Sequence, residues 1–493
     1  MTAHFLVEGT GGLGQIPEHE PDAFRAAVVA ACQGGGRLCA LPVIEERGRQ
    51  LLAVIAHDRA RRVQLLRMAV PADGRYPALT AKLPQAQGFE REVAEEHGLV
   101  PEGHPWPKPL RRHVDLETPG VPDPHPFFRV EGAGVHEVAV GPVHAGIIEP
   151  GHFRFQCYGE TVHHLEIQLG YQRRGAEQLL LASPPVRRQT IAESVAGDTA
   201  IGHGLAHATV MEKLAGVEAP PAAHILRAVA LELERMDSHT GDLGALCNDV
   251  GYQPGAAWYG RLRGDFLNLL IELSGNRFGR GLIVPGGVRF DLPVGERAGF
   301  LARFTAAATD FERIADVMFD APAVVSRFEG TGRLAPATAD ELGLVGPVAR
   351  AAGLDRDARR DHPEGSYRSS QLPVALRESG DVMARAEVRR AEVGHAAAFV
   401  PPQVAALTSG PLAVAPPARL RPSCIAVAMI EAWRGEIVHV ATTASDGRLA
   451  SYKIVDPSFH NWFALAMAMR GGQISDFPLC NKSFNLSYAG HDL

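Results

Sequence analysis

The spacing of apolar positions changes character several times along the chain. Between Leu38 and Val70 they fall in short runs, Leu38–Ile44, Leu51–His57 and Val63–Val70, divided by glycine and charge, which is the pattern of short strands. A helix is predicted ahead of them at Pro21–Cys32, stopped by Gly34, Gly35 and Gly36. Helical character returns at Gly88–Gly98, with acidic residues toward water and Gly98 as the stop. Residues 1–117 therefore read as a small α+β domain. From Thr118 to Pro126 the text is TPGVPDPHP; four prolines in nine positions suit neither a helix nor an interior strand, so residues 118–134 are predicted to be a linker.

Residues 135–493 read as a mainly helical bundle with peripheral strands, making the whole chain α+β. Val135–Ile148 and His152–Leu169 alternate as strands do. Three-and-four spacing then predicts helices at Arg187–Leu214, Ala222–Leu246, Ala256–Ser274, Val294–Met318 and Ser379–Glu392. Several of these are apolar on more than one side, as in the middle of a bundle. Pro401–Pro422 reads as a proline- and alanine-rich crossover. Strands at Ile425–Glu431, Glu436–Thr443 and Leu449–Val455 follow, then a helix near His460–Met469.

Composition narrows the function classes. At 493 residues, two or more domains are expected, and 46% hydrophobic with 21% charged residues is ordinary globular usage. Forty-nine Lys and Arg against 56 Asp and Glu give a net charge of −7, so no broad basic field exists to hold nucleic acid. The longest apolar stretch, around Ile425–Ile430, is far below the roughly 18–20 residues that span a bilayer. The first residues lack both a basic start and an apolar run, so no secretory signal is predicted and a cytoplasmic location is expected. The six cysteines, Cys32, Cys39, Cys157, Cys247, Cys424 and Cys480, form no C-x-x-C pair. Single scattered thiols are usually small core residues, and no iron–sulfur cluster is expected on this chain.

Three passages carry a family resemblance. They are GHFRFQCYGETVHHLEIQLGYQRRGAEQLL (Gly151–Leu180), LELERMDSHTGDLGALCNDVGY (Leu231–Tyr252), and the stretch Glu431–Leu493 with EAWRGEIVHV, DGRLASYKIVDPSFHNW and ISDFPLCNKSFNLSYAGHDL. Together they resemble the large subunit of energy-converting (group 4) nickel–iron hydrogenases of the formate hydrogenlyase type, and the homologous 49-kDa subunit of respiratory complex I. FEREVAEEHGLVPEGHP (Phe89–Pro105) resembles the 30-kDa complex I subunit, which such hydrogenases carry fused ahead of the large subunit. The resemblance implies an iron–sulfur small subunit and antiporter-like membrane subunits as partners. It also implies a peripheral place on the inner membrane, an iron–sulfur cluster in a partner, and quinone or NAD(H) at the level of the complex.

The family holds nickel and iron with two C-x-x-C pairs. By resemblance these positions are Ala196 and Thr199 in SVAGDT, and Ser487 and Gly490 in FNLSYAGH. Nickel in low oxidation states needs soft thiolates, which methyl, hydroxyl and hydrogen do not replace. No metal site, and no cofactor bound by this chain, is therefore expected. The resemblance also leads to the expectation that the short tail hydrogenases lose after nickel insertion has no counterpart, with only Asp492 and Leu493 after His491.

The complex I quinone site implies a His where Arg173 stands and a Tyr where Gly197 stands. A guanidinium holds its proton near neutrality and glycine has no side chain, so quinone reduction in its usual form is not expected. The carboxylate partner of that His corresponds to Asp249, and a buried Arg173–Asp249 ion pair is expected, with a surface Arg173 as the alternative.

Further candidates are the Glu232–Arg235–His239 helix face, read as a salt bridge or as a charged link toward a membrane partner. His203 and His207, on the helix expected to carry Asp198, are read as a metal pair or as core histidines. Arg434, between Glu431 and Glu436, is read as a cavity residue or a clamp on the C-terminal segment. Asp198, Asn485, Ser487 and His491 are expected to converge on the cavity the thiolates would have lined. The glycine-rich Gly9–Gly14 (GTGGLG) is a weak nucleotide-loop candidate. The resulting expectation is a scaffold or coupling subunit without a nickel–iron site. The alternative is a redox-active subunit that reduces quinone or another small acceptor.

Overall fold

The computed structural model describes residues 4–6, 8–45, 48–111, 125–144, 148–417 and 419–493. The first part of the expected linker lies outside the described residues, and 125–134 carry neither helix nor strand. Ahead of it, Arg62–Ala69 and Arg49–His57 pair antiparallel at the centre of a six-stranded sheet, with Arg37–Ala40 on one side and His4–Phe5 on the other. The expected strand 38–44 is two strands, Arg37–Ala40 and Val43–Glu45. Pro42 between them has no N–H to continue a ladder. Helix Pro21–Gln33 covers the sheet through Phe24 and Val28, and helix Gln87–His97 stops at Gly98, whose φ of +65° suits glycine.

Thr10–Gly12, within the candidate nucleotide loop, is instead an edge strand. It pairs antiparallel with Cys424–Ala426 and completes a four-stranded sheet in the order Leu449–Val455, Gly435–Thr443, Cys424–Ala432, Thr10–Gly12. All nine residues of Gly435–Thr443 are buried, because this sheet is covered on both faces. On one face Val427, Met429, Val438 and Val440 join the core of the N-terminal unit, including Leu38 and Val54. On the other, Ala426, Ala428 and Ala441 meet Val210 and Leu214 of helix Ala200–Ala215.

The bundle is built on helix Pro221–Asp249, which packs along Gln253–Ser274 and against Val382–Ala405, with Val294–Phe319 outside. Its 29 residues are buried on nearly every side, as the all-round apolar pattern predicts. Two predicted boundaries move. The segment 187–214 is two helices, Pro185–Ala192 and Ala200–Ala215, separated by the turn that holds Ser194–Thr199. Helix Val382–Ala405, capped by Asp381 accepting from the Ala384 N–H at 2.8 Å, runs through Pro401 and Pro402 in its last turns, where the crossover was expected to begin. A third sheet, Val135–Val140, His152–Tyr158 and Thr161–Gln168, packs Phe153, Phe155 and Leu165 on the C-terminal helices through Trp462, Phe477 and Phe484. Among the described residues no helix is long and apolar enough to cross a membrane.

One buried ion pair joins the N-terminal sheet to the central one. Arg37 donates to both oxygens of Glu436, at 2.7 and 2.8 Å, and to Asp58 at 3.2 Å. Removing the guanidinium leaves Glu436 charged and unpaired in the core. Arg37→Ala is expected to lower unfolding free energy by about 3–5 kcal/mol in urea denaturation, with Arg37→Met, Glu436→Leu recovering most of the loss.

Candidate functional site

The hairpin between Cys424–Ala432 and Gly435–Thr443 places Trp433 and Arg434 at its tip. Arg434 Nε donates to the Asn485 carbonyl at 2.6 Å, while Nη1 and Nη2 reach the two Asp198 oxygens at 2.5 and 2.8 Å. Nη1 also donates to Thr199 Oγ1 at 3.1 Å, and the guanidinium lies 3.9 Å over the Trp433 ring. Trp433 Nε1 donates to the Asp198 carbonyl at 2.9 Å. Burial works to raise the Asp198 pKa, but the charge and hydrogen bonds of Arg434 outweigh it and hold the carboxyl below its usual range. Asp198 precedes helix Ala200–Ala215 and does not lie on it. Asn485 sits at φ +45° at the end of helix Phe477–Phe484, the left-handed stop that turns the chain back toward Arg434.

The four positions expected by resemblance to correspond to thiolates are all engaged in packing or in backbone and side-chain bonds. Ala196 and Thr199 are fully buried, the latter accepting from Arg434. Ser487 caps the short helix Tyr488–His491, its Oγ accepting from the Gly490 N–H at 2.9 Å. A Cβ added at Gly490 would lie 2.5 Å from Asp456 Cγ, so the carboxyl of Asp456 fills the space a side chain there would need. The donor set is thus a methyl, two engaged hydroxyls and a hydrogen. It does not fit a thiolate-held nickel–iron centre. Among the described residues, no group of three or more His, Cys, Asp or Glu side chains is arranged to hold a metal ion.

The expected Arg173–Asp249 pair does not form. Arg173 donates to both oxygens of Glu96, at 2.8 and 2.7 Å, tying the strand-to-helix turn to helix Gln87–His97. Asp249 is paired with Lys482. The neighbouring Arg174, which was not among the expected site residues, takes the central position. It donates to the carbonyls of Ser194 and Val195 at 2.7 Å and, at 3.4 Å, to that of Ala489, joining the two segments matched to metal ligands. His491 bonds Asp492 at 2.8 Å and stacks on Phe459 at 5.5 Å, and does not join Arg434. Of the expected convergent group, Asp198 and Asn485 meet on Arg434, while Ser487 and His491 are turned to local partners.

His203 and His207 are bonded to side chains and not to carbonyls. His203 contacts Asp456 at 3.0 Å and His439 at 3.1 Å, and His207 contacts the Tyr452 hydroxyl at 2.8 Å. Asp456 was legible as an N-cap from the sequence Asp456-Pro457-Ser458, and its Oδ1 accepts from the Ser458 N–H at 2.8 Å. Its partnership with His203 spans 253 positions and left no local signal. Glu232 and Arg235 pair at 3.1 Å as spacing suggested, but His239 turns to Glu392 at 2.8 Å. Arg350 and Arg359 extend the cluster to Glu431 and Asp357.

Comparison with known proteins defines the class first. A chain from the structure of the membrane-bound sulfane sulfur reductase, an archaeal respiratory membrane complex, shares this fold with a TM-score of 0.67 at 23% identity, over 73% of this chain and 99% of that one. The family model of the respiratory-chain NADH dehydrogenase 49 Kd subunit matches residues 249–423. The sequence is 31% identical over 437 residues to formate hydrogenlyase subunit 5 of Escherichia coli (strain K12), covering 85% of this chain and 77% of that protein. It is 28% identical to hydrogenase-4 component G of the same strain, over 87% and 78% of the two chains. Identity to NADH-quinone oxidoreductase subunit 4 of Thermus thermophilus is 29%, over 74% and 94%. The chain belongs to the large-subunit family shared by group 4 hydrogenases and complex I.

Two outcomes follow from this geometry. Gly490→Cys is expected to destabilise the fold by about 1–3 kcal/mol in thermal or urea unfolding, the cost of forcing a side chain into filled space, and Gly490→Cys, Asp456→Ser to regain part of it. For Asp456, burial raises the pKa, but His203, Arg434 and the Ser458 N–H outweigh it and hold the carboxyl below its usual range. A lowered native pKa stabilises the fold above the unfolded value of about 4, and that contribution is lost as pH falls through the native value. Unfolding titrations should therefore show a shallower acid limb in Asp456→Asn than in the unaltered chain.

Proposed function

We propose that this chain is the large subunit of a membrane-associated assembly of the hydrogenase and complex I kind, working as a scaffold or coupling subunit without a nickel–iron centre. Its partners are an iron–sulfur small subunit and antiporter-like membrane subunits, and it lies peripherally on the membrane through them. The observation that carries this reading is the contact of Gly490 with Asp456, backed by the Arg434–Asp198 clamp. In this reading Asp456 occupies the space beside Gly490, one of the four positions taken to correspond to thiolates, and the Arg434–Asp198 ion pair lies next to it. The similarity to formate hydrogenlyase subunit 5 covers 85% of this chain, which supports the same architecture around this region.

Reduction of quinone in this region has less support. Arg173, at the position of the quinone-bonding His, is engaged by both oxygens of Glu96, and Gly197 offers no side chain. Redox chemistry, where the assembly has any, belongs in this reading to the cluster-bearing partner, and this subunit supplies shape and proton-bearing groups beside it.

Affinity isolation of the native assembly from membranes, followed by identification of its chains and metal analysis, tests the proposal. Co-purifying iron–sulfur and antiporter-like subunits with iron and without stoichiometric nickel are expected. Nickel bonded to sulfur within this polypeptide, seen by X-ray absorption, would overturn it.

A further inference from the structure

Five buried side chains form one unbroken hydrogen-bonded row through the layer between the central sheet and helix Ala200–Ala215. Asp456 Oδ2 meets His203 Nε2 at 3.0 Å, and His203 Nδ1 meets His439 Nε2 at 3.1 Å. His439 Nδ1 meets the Tyr452 hydroxyl at 2.8 Å, and the same hydroxyl meets His207 Nδ1 at 2.8 Å. None of the five is more than 4% exposed. They come from four elements: the helix, strands Gly435–Thr443 and Leu449–Val455, and the cap of Pro457–Ala468. At one end the row adjoins Gly490 and the charges of Arg434 and Asp198; at the other it lies near Arg188 and Glu177.

Elementary donor and acceptor rules fix the protons. Burial, with the charge of Arg188, pushes His207 down to about 3, and burial with the two neighbouring histidines holds His439 well below the usual range, so both are neutral. An ionised Asp456 only accepts, so His203 carries a proton on Nε2. With His203 neutral, its Nδ1 must accept from His439 Nε2–H. Nδ1 of His439 must then accept from the Tyr452 O–H, and the Tyr452 oxygen from His207 Nδ1–H. Every proton points toward Asp456. One added proton reverses the whole row, because a charged His203 donates from both nitrogens.

We propose that this row is a proton wire that carries protons from the His207 end to the His203–Asp456 pair beside the Arg434 clamp. A proton bonds to His207 Nε2 from outside, and His207 passes its Nδ1 proton to the tyrosine oxygen. The hydroxyl proton moves to His439 Nδ1, and the His439 Nε2 proton to His203 Nδ1. Each hop breaks one N–H or O–H bond and forms another, with no change of oxidation state. The incoming charge comes to rest on the one imidazole that faces a carboxylate. The inference is independent of which subunits the chain docks on, and its test needs none of them.

The experiment is nuclear magnetic resonance of the full chain with isotope-labelled histidine. It reads the ring tautomers and the exchange of the His203 imidazole N–H with water. Tyr452→Phe removes the hydroxyl; His207→Gln keeps an N–H donor toward Tyr452 but passes no proton. In both variants the His203 N–H is expected to exchange more slowly by about tenfold or more, with backbone amide exchange in Ala200–Ala215 unchanged. Where Tyr452→Phe disturbs those amides, His207→Gln decides. Equal His203 exchange in the unaltered chain and His207→Gln would overturn the proposal, as would His439 carrying its proton on Nδ1 while His203 is neutral.

Discussion

The guanidinium of Arg434 is where three distant segments of the chain are held in register. It binds the Asp198 carboxylate with two nearly parallel charge-assisted bonds, takes the Asn485 carbonyl with Nε, and rests on the Trp433 ring. A planar fork with fixed donor directions can do this; a lysine ammonium, a single flexible point charge, cannot hold all three partners at once. Arg174 joins the same two segments, the turn 194–199 and the C-terminal stretch, through their carbonyls. Two arginines thus tie the turn 194–199 to the C-terminal segment by hydrogen bonds.

The clamp and its neighbours also leave the small and polar residues around them packed and partnered. A cavity lined by a methyl group, two hydroxyls and a glycine would lose packing contacts in proportion to the space left open. Here the space at Gly490 is taken by Asp456, and the hydroxyls of Thr199 and Ser487 are consumed by Arg434 and a backbone N–H. Polar groups brought inward this way are tolerable only when each finds a partner. Asp456 meets that condition on three sides, with His203, the Ser458 N–H and the nearby Arg434 charge.

Much of the architecture could be read from periodicity, and the failures have a common physical cause. Helices Pro221–Asp249, Gln253–Ser274 and Val294–Phe319 follow from three-and-four spacing within a few residues of their observed ends, since their apolar stripes are local properties. Thr10–Gly12 could not be read as a strand, because what makes it one is a partner at the far end of the chain, Cys424–Ala426, as His439 is for His203. The helix through Pro401 and Pro402 violates the local rule; Val400 and Val404 are buried in the bundle and hold the turn that the prolines disfavour. At the site, residue identity was legible and pairing was not. The absence of paired cysteines is a fact of the sequence, whereas the choice between Arg173 and Arg174 depends on which side of a turn each faces. Glu96, from the N-terminal unit, decides that for Arg173.

Beneath the clamp, the bundle buries a second charged system whose balance differs. Arg235, Arg350 and Arg359 face Glu232, Asp357, Glu392 and Glu431, all nearly inaccessible, with His239 against Glu392. Three fixed positive charges cannot neutralise four carboxylates, so one carboxyl bears the imbalance. It is Glu431: burial and the neighbouring Asp357 push it up, against the pull of Arg350. Glu392, by contrast, is held well below its usual range despite burial, because Arg350, His239 and Arg235 converge on it. A carboxyl raised in the native state binds its proton more tightly there than in the unfolded chain, so its contribution to stability is present at low pH and lost as pH rises through its native value. Asp198 and Asp456, held below their usual range, contribute in the opposite sense, so carboxylates of this fold oppose one another across the pH scale.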